Sequence, residues 1–393
     1  MKFIKRNLLT ILFTFFLIFL VVFSNNNLTA AKNGLMLWAN SVVPSLLPFF
    51  IATELLNYTN IAHIIGKILN KIMRPLFNIP GEGAYAFIMG IISGYPIGAK
   101  IVSDFYKNRI CTKDEAERML AFTNNSGPLF IIGTVGILLF GNTTIGLLLF
   151  ATHILSSITI GIILGIKSRL HHNKNITKHT KAISYSKNAI NIQNNLEATT
   201  KTSILDLGSI LSNSISKSIS TVLQIGGFVV LFSVIISILN KISLINLVSN
   251  VLSYFYVPKD IAKSIVSGLI ELTNGINIAV NIHTKNLSIN IITCSFLLGF
   301  GGISVLLQVL SIVSKENLSI KNYISGKFLQ GLVAALYTAI FIKYVSIFNF
   351  DIQIHSINSS FNLSKIILIL ISLTIAYGTI LFKLIFTHKF QYK

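Results

Sequence analysis

Ten apolar stretches separated by polar turns leave this chain almost no way to be a water-soluble protein. They cover residues 8–23, 35–57, 84–102, 119–140, 143–166, 217–240, 261–283, 288–312, 324–348 and 363–387. Several reach the ~20 apolar residues a helix needs to cross the hydrocarbon core. Only 11% of the 393 residues are charged and 52% are hydrophobic, with a mean hydropathy of +0.73. Soluble domains carry roughly 25% charged residues to cover their surfaces. The chain reads as an all-α polytopic membrane protein. Its net charge of +20 sits in loops and termini rather than interleaved with aromatics on one face. That pattern is cytoplasmic loop charge, not a nucleic-acid surface.

The N-terminus opens on basic Met1–Arg6 and the apolar run Leu8–Phe23. This resembles a signal peptide, but no A-x-A site follows; Leu28-Thr29-Ala30-Ala31 comes nearest. The expectation is an uncleaved anchor over 1–30 with its N-terminus inside. Residues 167–216 are polar, with seven Lys/Arg against two acids, and read as a cytoplasmic loop.

On either side of that loop the chain repeats. At an offset of 178, Pro80 meets Pro258, Gly90 meets Gly268 and Pro48 meets Gly226. Further on, the offset slips by about four residues, and Asn125-Ser126-Gly127-Pro128 meets Phe300-Gly301-Gly302. The ordered series predicts two repeats, 31–166 and 217–350, with a C-terminal transmembrane helix and tail over 351–393. Charge sets their relation. The loop with Lys67, Lys71 and Arg74 and the loop with Lys100, Lys107, Arg109, Lys113 and Arg118 are both basic. If both are cytoplasmic, residues 81–110 form a re-entrant hairpin with its tip at Ser93–Gly98. Each limb of about ten residues spans ~15 Å, half the hydrocarbon. Three net crossings then separate the repeats, which inverts the second. If 84–102 spans instead, the repeats are parallel and the second basic loop breaks the positive-inside rule, so the expectation is two inverted repeats, each with a re-entrant hairpin and a broken transmembrane helix.

Four motifs interrupt apolar helices. The first tip, Ser93-Gly94-Tyr95-Pro96, combines open backbone with a residue that cannot donate a hydrogen bond. Non-helical backbone at membrane depth needs burial in protein or a polar cavity. Gly90, Gly94 and Gly98 also read as a small-residue packing series. Thr123-Asn124-Asn125-Ser126-Gly127-Pro128 breaks the next helix, and its amides need partners. The helix after Pro128 offers its N-terminal NH groups towards the midplane, a favourable place for an anion, unless its own side chains fill the kink. Glu271-Leu272-Thr273-Asn274-Gly275 forms the second tip. A carboxylate there costs on the order of 2.5–3.5 kcal/mol unless protonated or paired. It serves ion coupling or substrate contact, or is a structural ion pair with Lys100. Gly299-Phe300-Gly301-Gly302-Ile303-Ser304 is the second broken helix.

Other features read as structural. Glu54 near a helix end reaches the interface. His63, His153 and His283 are hydrogen-bonded structural residues, and Asp114, Glu115, Glu117 and Arg118 form a solvated face. Cys111 and Cys294 are isolated, so neither a disulfide framework nor a zinc site is expected. No HExxH, GxSxG, P-loop or Rossmann fingerprint occurs, so the expectation is a non-enzyme with no metal site.

Ser93-Gly94-Tyr95-Pro96-Ile97-Gly98-Ala99, Thr123 to Pro128 and Glu271 to Gly275 together resemble the YlbJ-type sporulation integral membrane proteins of the nucleoside-recognition "gate" group. The resemblance spans roughly 35–350. It implies a fold like that of concentrative nucleoside transporters, with two hairpins and two unwound helices around the substrate. It also implies dipicolinate transport across the mother-cell-derived membrane around the forespore. The expected function is therefore a secondary transporter of a small organic anion in the cell or outer forespore membrane. Substrate contacts fall to Ser93, Gly94, Tyr95, Lys100, Asn124, Asn125, Ser126, Gly127, Glu271, Thr273, Asn274, Gly301 and Ser304. The coupling ion is a proton or Na+, no other cofactor is expected, the bilayer is the constant partner, and a homo-oligomer stays open. A nucleoside transporter and a non-transporting scaffold acting through 167–216 are the alternatives.

Overall fold

A computed structural model describes residues 2–172, 204–255, 257–282, 287–345 and 371–372. The middle of the polar loop, His283 and nearly all of 351–393 lie outside the described residues. Among the described residues the fold is entirely helical.

The chain begins with α1 (Lys2–Val22) and α2 (Ser24–Leu37), bent by 98° at their junction. A π-helical turn, Trp38–Val42, carries α2 into α3 (Val43–Leu56). The amphipathic α4 (Ile61–Phe77) follows, ending on left-handed Asn78. Then come the paired short helices α5 (Gly83–Ile92) and α6 (Ile97–Lys107). Next is α7 (Lys113–Thr123), an interruption at 124–128, a π-helical segment Leu129–Leu139 and the long α8 (Thr143–His172). After the loop, α9 (Ile204–Lys241) and α10 (Leu244–Ser253) lead to a second short pair, α11 (Lys259–Ile270) and α12 (Leu272–Val280). Then α13 (Leu287–Phe300), a break at Gly301, α14 (Gly302–Val313) and α15 (Lys321–Val345) complete the order. The sequence of element types in 43–172 thus recurs in 204–345.

Among the described residues four stretches are long and apolar enough to cross a membrane: Thr143–Leu170, Leu207–Lys241, Leu287–Glu316 and Lys321–Tyr344. The bent pair α1–α2 makes a fifth if it counts as one span. Leu287–Glu316 reaches that length only by running through the break at Gly301.

Local chemistry explains the joints. α7 starts with a capping box: the Thr112 hydroxyl accepts from the Glu115 amide at 3.3 Å, and Glu115 Oε2 accepts from the Thr112 amide at 2.9 Å. α8 is capped by Asn142 Oδ1, which accepts from the Thr144 amide at 2.8 Å. The helices reach into 167–216 from both sides. Ile204, Leu207, Leu211 and Ile215 keep helical spacing inside a serine-rich stretch that composition alone marks as loop.

The acidic start of α7 is not a free solvated face. Glu115 pairs with Arg74 at 2.7 Å, Glu117 accepts from the Ser319 amide at 2.9 Å, and Arg118 donates to the Asn78 carbonyl at 2.8 Å. These contacts tie α4 and the α14–α15 turn to α7. Among the described residues four apolar clusters hold the rest, two of them large. One gathers α5, α6 and α7 around Phe77, Tyr85, Phe122 and Tyr323; the other joins α8, α12, α13 and α15 through Phe130, Leu149, Leu272 and Leu297.

Candidate functional site

All four interruptions meet at one buried cavity. It is lined by Gly94 and Tyr95 from the first tip and by Gly127 from the first break. Glu271 and Thr273 come from the second tip, and Ser304 from the first turn of α14 after the second break. Val42, Leu46, Phe130, Ile225 and Val229 complete an apolar wall. A Cβ on Gly94 would lie 3.0 Å from the Gly127 amide nitrogen, so tip and break touch directly. In the second half, a Cβ on Gly302 would lie 2.9 Å from the Gly268 carbonyl oxygen. The space measures ≈ 20 Å³, about what one water needs. A molecule much larger than water does not fit the space as it stands.

The left-handed conformations of Gly94 (φ 81°) and Gly301 (φ 87°) make the turns possible, since an L side chain there would strain the backbone. At the second tip, Glu271 caps α12. Its carboxylate accepts from the Thr273 amide and hydroxyl, both at 3.0 Å, and from the Asn274 amide at 2.7 Å. The α12 N-terminus is therefore already capped by one of the chain's own side chains. The expected ion pair between Glu271 and Lys100 does not form. Lys100 binds Glu54, which is 3% exposed; Lys217 approaches the same carboxylate at 3.9 Å.

The first break closes largely on itself. Asn124 Nδ2 donates to the Tyr323 hydroxyl at 2.8 Å, and Asn125 Nδ2 donates to the Phe122 carbonyl at 2.7 Å. The Ser126 amide donates to His153 Nε2 at 3.2 Å, which gives His153 the structural role expected of it. Ser93 pairs with Thr53, hydroxyl to hydroxyl at 2.6 Å, and Asn274 Nδ2 donates to the Ser233 hydroxyl at 3.1 Å. Of the thirteen expected contacts, Gly94, Tyr95, Gly127, Glu271, Thr273 and Ser304 face the cavity. Ser93, Lys100, Asn124, Asn125, Ser126, Asn274 and Gly301 do not line it. The glycine series divides the same way. Gly90 and Gly98 pack against Thr123, where added Cβ atoms would lie 1.8 and 2.3 Å from its carbonyl oxygen, while Gly94 lines the space.

Two residues were not anticipated. Gln308 lines the cavity one turn beyond Ser304, and its buried Oε1 has no partner among the described residues. Lys327, 2% exposed on α15, donates to the Asn124 carbonyl at 3.0 Å and to Gln330 Oε1 at 2.7 Å. Gln308 is a lone polar residue inside an apolar run with no glycine or proline beside it, whereas Lys327 follows Gly326 on a helix that also carries Ser325 and Gln330; the signal available was a polar or charged side chain at membrane depth. Among the described residues no group of three or more His, Cys, Asp or Glu could hold a metal ion.

Residues 39–167 match the family described as "Gate: Nucleoside recognition". The chain is also 35% identical over 318 residues to the sporulation integral membrane protein YlbJ of Bacillus subtilis (strain 168), covering 80% of this chain and 77% of that protein. No solved structure matches.

Proposed function

The chain belongs to the YlbJ family of sporulation integral membrane proteins, and from that premise we propose that it is a secondary transporter of a small organic anion. It is an integral membrane protein, and the proposed home is the membrane around the forespore. The observation that carries the reading is the convergence of two hairpin tips and two broken helices on a single cavity. Secondary transporters place their sites near the midplane between discontinuous helices. In this reading, 31–166 and 217–350 are inverted repeats, and α5/α6 and α11/α12 are re-entrant hairpins. Their limbs of 10, 11, 12 and 9 residues are each too short to cross.

Dipicolinate is the substrate to try first. Glu271 is the single acidic side chain lining the cavity, so an anion beside it requires its carboxyl to be protonated or its charge offset. Proton-linked uptake follows. Tyr95, Ser304 and Gln308 supply polar groups for the ligand, with helix α14 starting beside them. The nucleoside reading has support in the family description of 39–167, and the closed cavity does not favour either ligand.

The test is uptake of labelled dipicolinate into proteoliposomes, with uridine as competitor. Saturable uptake that Gln308→Leu reduces at least tenfold, with folding intact, supports the reading. Absence of uptake from folded protein, or competition by uridine alone, overturns the anion assignment.

A further inference from the structure

We propose that the ammonium group of Lys327 is a built-in cation for the broken end of α7. It stands where a carrier of this architecture would otherwise bind Na+, so this chain neither needs nor recognises that ion.

Lys327 lies behind the cavity, not in its wall, and is almost fully buried. No carboxylate among the described residues lies within 4.0 Å of its nitrogen; the ion pairs there use Glu54, Glu82 and Glu115. A buried ammonium without a counter-ion costs several kcal/mol. Its ionisable neighbours do not offset it. Tyr323, one turn away, accepts a hydrogen bond from Asn124, and His153 Nε2 accepts from the Ser126 amide, so that nitrogen carries no proton.

What balances the charge is the C-terminal end of α7. That helix stops at Thr123, inside the protein, and its last carbonyls carry about half a unit of negative charge. Their partners can be traced one by one. The Phe122 carbonyl accepts from Asn125 Nδ2, the Thr123 carbonyl lies against the bare Cα atoms of Gly90 and Gly98, and the Asn124 carbonyl accepts from Lys327. Gln330 then steadies the lysine and reaches on to Asn125 Oδ1 at 3.1 Å. Unwound carbonyls at a half-helix C-terminus are the groups from which Na+ sites in such carriers are built. Here one of them is taken by a covalently attached cation. The second break differs. Gly301 and Gly302 are both left-handed, and the Gly301 amide donates to the Leu297 carbonyl at 2.8 Å, so α13 ends on its own backbone.

On the carrier reading above, Na+ takes no part in coupling. The test reads unfolding rather than transport, so a failed substrate assignment and a failed Lys327 assignment remain distinguishable. Full-length protein in detergent is melted in NaCl and in choline chloride at equal ionic strength. The wild type melts at the same temperature in both. Lys327→Ala, which vacates the ammonium's place, melts at least about 5 °C lower in choline chloride. It recovers part of that loss in NaCl or with added ethylammonium. Lys327→Met, which keeps the length without the charge, is also lowered but answers to neither cation. A wild-type midpoint that rises in NaCl overturns the proposal, as does a Lys327→Ala protein on which neither cation acts. If the alanine variant does not fold, the wild-type comparison alone decides.

Discussion

A methyl group on Gly90 would sit 1.8 Å from the Thr123 carbonyl oxygen, whereas one on Gly133 would meet nothing within 4 Å. Gly90→Ala should therefore cost about 3 kcal/mol or prevent folding, while Gly133→Ala leaves the unfolding midpoint within error or raises it slightly. Melting the two variants in detergent checks this. Glu271 carries a different expectation. Glu271→Gln keeps an acceptor for the α12 amides but cannot take up and release a proton. It should fold, lose about 1 kcal/mol of capping, and transport without dependence on the proton gradient. Normal gradient dependence in that variant at every pH would remove Glu271 from coupling. At this scale the sequence showed residues whose type is itself unusual at membrane depth: Gly94, Tyr95, Gly127, Glu271 and Thr273. It did not separate Gly94, in the wall, from Gly90 and Gly98, in the packing, because both uses call for the same missing Cβ. Asn124 and Asn125 look like ligand contacts for a related reason. An amide that mends a broken helix and an amide that binds a substrate are the same residue until its partner is known.

Elements are held together here by a few buried polar joints. Glu54 on α3 holds Lys100 on α6 and draws in Lys217 on α9, which also lies 5.6 Å from the Tyr58 ring centroid. The two pairs differ in exposure, with the Lys100 side chain 26% and the Lys217 side chain 56% accessible. Glu54→Gln leaves half-buried Lys100 without its counter-charge and should cost about 2 kcal/mol. Lys217→Ala should cost less than about 1 kcal/mol and become undetectable in high salt. Comparing both melts at low and high ionic strength checks the ranking. The hairpins and both broken helices were legible because glycine and proline punctuate them. The joint at Glu54 was not, since its partners lie 46 and 163 positions away in the chain and a helix-end carboxylate reads by default as an interfacial one. The start of α9 was hidden similarly, by serines that look like loop but leave Ile204, Leu207, Leu211 and Ile215 on a helical spacing.

For the whole molecule, the order of elements recurs in the two halves, and the proposed inversion of the second half has a direct consequence for labelling. The native thiols are silent. Cys111 and Cys294 are buried, and burial pushes the Cys111 thiol up to about 12. Single cysteines at Lys71 and Lys113 should react with an impermeant maleimide from one face of the membrane, and a cysteine at Lys259 from the other. Reaction of all three from one face would make the repeats parallel. The charge pattern could suggest this arrangement, but the direction of a short hairpin in the bilayer depends on packing that no local sequence records. The grip of Gly90 and Gly98 on Thr123 has a mechanical meaning. With no slack between them, the first hairpin and the broken helix are meshed like the teeth of a gear. On the carrier reading they travel as one part, and the opening falls at the hairpin's other flank, along the seam where Thr53 meets Ser93. A disulfide across Thr53→Cys and Ser93→Cys should stall the carrier reversibly, and a reductant should set it turning again.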